Sequence, residues 1–266
     1  MTEIKRKNSI TIPLSAGNKL QMLMIGALVV ASFFIGSLWT KVQYLEKGGT
    51  LAKGTTTATA PGVGQPPLQQ GPPEDTSPKK VSVDDDPTLG NKNAKITMID
   101  FTDYECPFCK RYFDETFAQI KKDYIDTGKI KYVVRDLPLS FHVNAHKEAQ
   151  AAECVREQGG DDVYFKYHDE IFKRTISNGT GLALDKLSVI ANDLGLNGSS
   201  LQKCLDSDKY KAEVDKDLAD AAAAGATGTP TFFIGKSSAD GIITGTRIVG
   251  AQPYSAFQVE IDKQLE

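Results

Sequence analysis

Cysteine, histidine and tryptophan are scarce in this chain, which has four, three and one of them. No cysteine precedes position 106, so no acceptor for a lipid anchor lies near the N-terminus. No block of one charge sign stands out. Lysine and arginine number 31 against 34 aspartates and glutamates, a formal net charge of -3 that argues against a nucleic-acid partner. The three histidines, His142, His146 and His168, all lie away from the closely spaced cysteine pair Cys106 and Cys109. A structural zinc site needs four ligands, and the remaining cysteines, Cys154 and Cys204, stand far from each other, so no metal is assigned. Lys110, where a c-type haem site has histidine, follows Cys109. No cofactor and no internal repeat is evident.

Charge is also missing from Leu20 to Thr40, LQMLMIGALVVASFFIGSLWT. About 20 apolar residues suffice to cross a bilayer core. Lys5, Arg6, Lys7 and Lys19 precede the run, so residues 1–19 are expected in the cytoplasm and 20–40 as a single-pass anchor. The run is longer than a signal-peptide core and ends in GSLWTK, a poor cleavage site. Residues 41–80, rich in Gly, Pro, Thr and Gln, hold too little apolar surface to offset the entropy of ordering. They read as a disordered tether reaching on the order of 40 Å. The remainder, 81–266, is expected outside the cytoplasm, where disulfides persist.

Within that remainder, KITMIDF (95–101) and KIKYVVRDL (129–137) read as strands flanking a helix that starts at Pro107. A helical stretch follows from about His142 to Ala224, broken at EQGGDD, SNGTG and GLNGSS. TPTFFIG (229–235) and GIITGTRIVG (241–250) supply two late strands and PYSAFQVEIDKQLE a closing helix. The order β-α-β, helical block, β-β-α implies an α/β fold with a parallel pair joined by a crossover and a late antiparallel hairpin.

The stretch DFTDYECPFC places Cys106 at a helix N-cap with Pro107 in the first turn. A Cys-x-x-Cys pair can be half a zinc site, a structural disulfide or a redox centre. At a helix N-terminus the free N–H groups and the dipole stabilise a thiolate. Cys106 is then the nucleophile, and Cys109, one turn on, the more buried resolving thiol.

DFTDYECPFC followed much later by GTPTFFIG resembles the DsbA-like branch of the thioredoxin superfamily, from about Asp86 to the C-terminus. The resemblance implies a thioredoxin-like fold with a helical domain inserted at about 139–225, and an enzyme that exchanges disulfides with cysteine-containing proteins outside the cytoplasm. It also implies a membrane redox partner that reoxidises the enzyme. Cys106 and Cys109 match the redox pair. Pro230 matches the loop proline held cis beside that pair, with Thr229 presenting backbone to substrate. Asp100 matches a buried acid that shuttles the proton of Cys109. Phe108, where strong oxidants of the family carry histidine, leaves the potential open between about -270 and -120 mV. It also leaves reduction or isomerisation as the alternative to net oxidation. A tethered binding module or chaperone with a structural Cys106–Cys109 bond is the non-enzymatic alternative. Cys154 and Cys204, both in the helical block, are expected to form a structural disulfide. Since the resemblance is to bacterial proteins, Asn178 and Asn197 read as turn residues rather than glycan acceptors.

Overall fold

The computed structural model describes residues 77–177 and 181–266. The N-terminal segment 1–19, the apolar run 20–40, most of the linker and Asn178 lie outside the described residues. Among those described, no helix is long and apolar enough to cross a membrane.

The strands are β1 (Lys79–Ser82), β2 (Thr88–Gly90), β3 (Ile96–Thr102), β4 (Ile130–Asp136), β5 (Thr231–Lys236) and β6 (Ile242–Val249). They form one sheet in the order β1-β6-β5-β3-β4-β2. β3 and β4 run parallel, while every other neighbouring pair is antiparallel. The parallel pair is joined by the helix α1 (107–125), which contains π-helical turns at Phe113–Phe117 and Lys121–Ile125.

The central strand β3 is buried at all seven positions, as expected for a strand covered on both faces. Its side chains alternate between two cores. Ile96 and Met98 join Ile130, Tyr132, Val134, Phe232 and Ile234 on one face. Ile99 and Phe101 join Val133 and Phe233 on the other. The first core is closed by α1 and α7 (Tyr254–Leu265), and by α2 (Ala145–Gly159), α3 (Asp161–Arg174), α4 (Asp185–Asp193) and α5 (Gly198–Asp206). Gly160, at φ +74°, lets the chain reverse between α2 and α3. A disulfide between Cys154 and Cys204 ties α2 to α5.

Three expectations need correction. The helix α6 (Lys211–Ala224) meets α2, where His146 pairs with Asp215, but it is not confined to the helical block. Its Ala221 and Ala224 cover the opposite face of the sheet, where small side chains permit close approach. The folded part starts before residue 81, because Lys79 and Lys80 pair with Gly245 and Thr244 of β6. Helix α2 begins at Ala145 rather than near His142, because the segment before it is bonded to the loop after β3.

Arg135 anchors α6 to the sheet. Its guanidinium is fully buried and pairs with Asp86, Asp217 and Asp220. It also donates to the Ser82 carbonyl, so that the charge is compensated on every side.

Candidate active site

β3 and α1 meet at the loop Asp103–Glu105, which a single side chain braces. Asp103 accepts from the Glu105 N–H at 2.8 Å, and its carbonyl from the Cys106 N–H at 3.1 Å. Its other carboxyl oxygen accepts from the Leu139 N–H and meets His142 Nδ1, each at 2.7 Å. One carboxyl therefore holds both the redox loop and the segment across from it. His142 and His146, four residues apart in the chain, have separate partners. His142 is buried on Asp103, and His146 lies on α2 beside Asp215 and Gln150.

Cys106 is the N-cap of α1, with extended backbone (φ -74°, ψ 123°) and Pro107 behind it. Cys106 and Cys109 are both free thiols, 2% and 1% exposed. Cys106 Sγ lies 3.4 Å from the Thr229 carbonyl, 123 residues away in the chain. The Thr229–Pro230 peptide is cis. The Cys106 thiol is lowered to about 6, chiefly because the Cys109 S–H donates to its sulfur. Burial opposes this, and Thr229 and the N–H groups of Cys109 and Phe108 reinforce it. The Thr229 hydroxyl, buried and without another partner, is free to donate to the thiolate. Cys109 behaves oppositely: burial, then its bond to Cys106, hold its thiol well above the ordinary range. The two sulfurs thus differ in acidity because of their surroundings, and only Cys106 is a thiolate at neutral pH.

Asp100 lies in β3 and is 1% exposed, facing the core beneath α1. Burial raises its carboxyl to about 7, a shift that a hydrogen bond from the Tyr132 hydroxyl moderates. Its charge acts on Cys109 and pushes that thiol up.

Beside Cys106 a groove of about 580 Å³ opens, walled by Phe108, Leu139, Phe141, His142 and Thr229. Phe141 is 71% and Phe108 52% exposed. Large apolar side chains left in water beside a reactive sulfur fit an apolar binding partner. Phe108 is one of the residues picked from the sequence. Leu139, Phe141, Asp103 and Tyr132 are not, and the apolar residues Leu137, Leu139, Phe141 and Val143 spaced through the turn-like DLPLSFHVN are the weak signal that marks the groove wall.

The described groups close enough to share a cation are acidic: Asp84, Asp85 and Glu213, and Asp86, Glu213 and Asp217. Neither includes a site cysteine, and Arg135 already pairs with Asp86 and Asp217.

The sequence profile of the family described as Thioredoxin matches residues 82–251. A Rickettsia felis protein with the provisional name of a protein-disulfide oxidoreductase is 28% identical over 212 residues, 77% of this chain and 70% of its own. A similarly named Rickettsia prowazekii protein is 30% identical over 59% of this chain, which spans 58% of that relative. Among solved structures, alpha-DsbA1 of Wolbachia pipientis is 26% identical with a TM-score of 0.60, covering 70% of this chain and 93% of its own. Oxidised BdbD of Bacillus subtilis shares the fold at a TM-score of 0.62 and 24% identity, over 72% of this chain and 99% of that one.

Proposed function

This chain belongs to the thioredoxin family as a DsbA-like protein-disulfide oxidoreductase, and from that premise we propose that it introduces disulfides into cysteine-containing proteins outside the cytoplasm. In this reading a substrate thiolate attacks Cys106 Sγ of the Cys106–Cys109 disulfide, and Cys109 leaves. A second substrate thiolate then displaces Cys106, which departs as a thiolate. The extended substrate lies in the groove against Phe141 and Phe108, with its backbone near Thr229.

The oxidising direction is supported by the place of Cys106 at the N-cap of α1, where the free N–H groups and the Cys109 S–H favour its thiolate and lower the thiol to about 6. A leaving thiolate that is already stable favours the reduced enzyme, which makes the oxidised enzyme a better oxidant. Phe108 contributes no charge to this, and the Cys109 S–H and Thr229 act in its place. Equilibration with glutathione buffers tests the direction. A potential clearly above about -200 mV is expected, and one at or below that of thioredoxin, about -270 mV, would reverse the assignment to reduction.

The uncharged run 20–40 and the basic residues before it support a single-pass anchor with the catalytic domain on the far side of the membrane. A membrane redox partner would then restore the Cys106–Cys109 disulfide after each cycle. Protease added to intact spheroplasts should digest residues 81–266. Protection of that domain would place it in the cytoplasm and remove the oxidising compartment from the reading.

A further inference from the structure

Asp100 sits among few polar groups. Tyr132, from the neighbouring strand β4, donates its phenolic O–H to Asp100 Oδ2. Asp100 Oδ1 is buried with no hydrogen-bond partner. Tyr112 of α1 lies near enough for the charge of Asp100 to act on it and for its buried hydroxyl to interact with that of Tyr132. The remaining titratable neighbours are the two cysteines. No lysine, arginine or histidine among the described residues acts on this carboxyl.

We propose that Tyr132 is a positioning residue for disulfide exchange: by holding Asp100 Oδ2 it fixes the carboxyl so that Oδ1 is the atom that gives and takes the proton of Cys109. This rests on the reading of Asp100 as the proton carrier of the site. When a substrate thiolate attacks Cys106 Sγ, the substrate–Cys106 bond forms as the Cys106–Cys109 bond breaks. The released electron pair passes to Cys109 Sγ, which takes the proton from Asp100 Oδ1. The carboxylate left behind is buried, and the Tyr132 O–H is the donor that meets its charge. In the reverse step Oδ1 takes the proton back as Cys109 attacks. A phenol suits the task. It is neutral, and burial raises its own ionisation far above the working range, so it stays a donor and does not compete for the proton.

The test follows the Asp100 carboxyl by carbon-13 titration in the reduced protein, beside the pH profile of turnover on a dithiol peptide. Tyr132→Phe keeps the ring and deletes the donor. It should raise the Asp100 midpoint by about one pH unit and move the matching kinetic inflection by the same amount. Asp100→Asn should abolish the inflection, and Tyr132→Phe should add nothing on that background. If Tyr132→Phe shifts neither quantity while Asp100→Asn abolishes the inflection, the role of Tyr132 is refuted and that of Asp100 stands. If Asp100→Asn keeps the inflection, Asp100 is not the carrier and both fall. Should Tyr132→Phe not fold, incorporation of 3-fluorotyrosine, a stronger donor, should move the midpoint downward; an unchanged midpoint refutes the proposal.

Discussion

If the S–H of Cys109 is the main support of the Cys106 thiolate, alanine and serine at position 109 must behave differently. Both block resolution, but only serine keeps a donor beside Cys106 Sγ. A hydrogen bond to a charged group contributes about 1.5–3 kcal/mol, which is about one to two pKa units. Cys109 is 1% exposed, so water does not readily replace the lost donor. From a starting value of about 6, about nine-tenths of Cys106 is thiolate at pH 7; in Cys109→Ala that fraction should fall to about a half to a tenth. Cys109→Ser should remain close to the parent. The ultraviolet absorbance of the thiolate and the pH dependence of iodoacetamide alkylation both read this directly. Equal titration of the two variants near 6 would refute the reasoning and assign the thiolate to the helix N-terminus and Thr229. The same shift has a consequence for the intact pair. Because the Cys106 pKa lies below its ordinary value of 9.0, the thiolate stabilises the reduced protein increasingly as pH rises from about 6 to 9. That contribution is lost on acidification through about 6.

Role assignment is checked by trapping: Cys109→Ser should accumulate mixed disulfides with substrate proteins on Cys106, and equal trapping by Cys106→Ser would invert the roles. The Cys154–Cys204 disulfide closes a separation of 50 residues, so the Cys154→Ala/Cys204→Ala variant should lose roughly 4 kcal/mol in urea unfolding while retaining turnover. A variant that folds normally but does not turn over would make this pair part of the electron path. Phe141→Ser should raise KM for an unfolded dithiol substrate about tenfold with little change in kcat, because an exposed ring that substrate would cover is worth on the order of 1–2 kcal/mol. An unchanged KM would move the docking surface elsewhere. Asp103→Ala strips the acceptor from two backbone N–H groups, Glu105 and Leu139, and should cost about 2–4 kcal/mol in denaturant unfolding. A loss below about 1 kcal/mol would mean that the loop is held by other contacts.

What the sequence determined by itself is local. The short, β-branched and largely apolar runs KITMIDF and KIKYVVRDL specify two strands within a residue or two of β3 and β4, because a strand's local composition needs no distant partner to be recognised. Cys106-Pro107 before an amphipathic run marks the helix start, since an N-cap and a proline in the first turn follow from the free N–H groups of any helix. The Cys106 and Cys109 pair at a helix start and the β-α-β order were therefore legible from neighbours in the chain. Strands β1 and β2 were not. Their sequences, KKVS and TLG, carry little apolar pattern, and they are strands only because β6 and β4 offer them hydrogen bonds. Likewise nothing local marks Arg135, which is buried because Asp86, Asp217 and Asp220 converge on it from two other segments. His142 reads as a helix residue until Asp103, 39 positions earlier, captures it. The acidity of Cys106 has the same origin in part, for the Thr229 loop arrives from 123 residues away and burial sets how strongly each donor counts. Charge and hydrogen bonding act over a few ångströms in space, and only the packed chain decides which residues come that close.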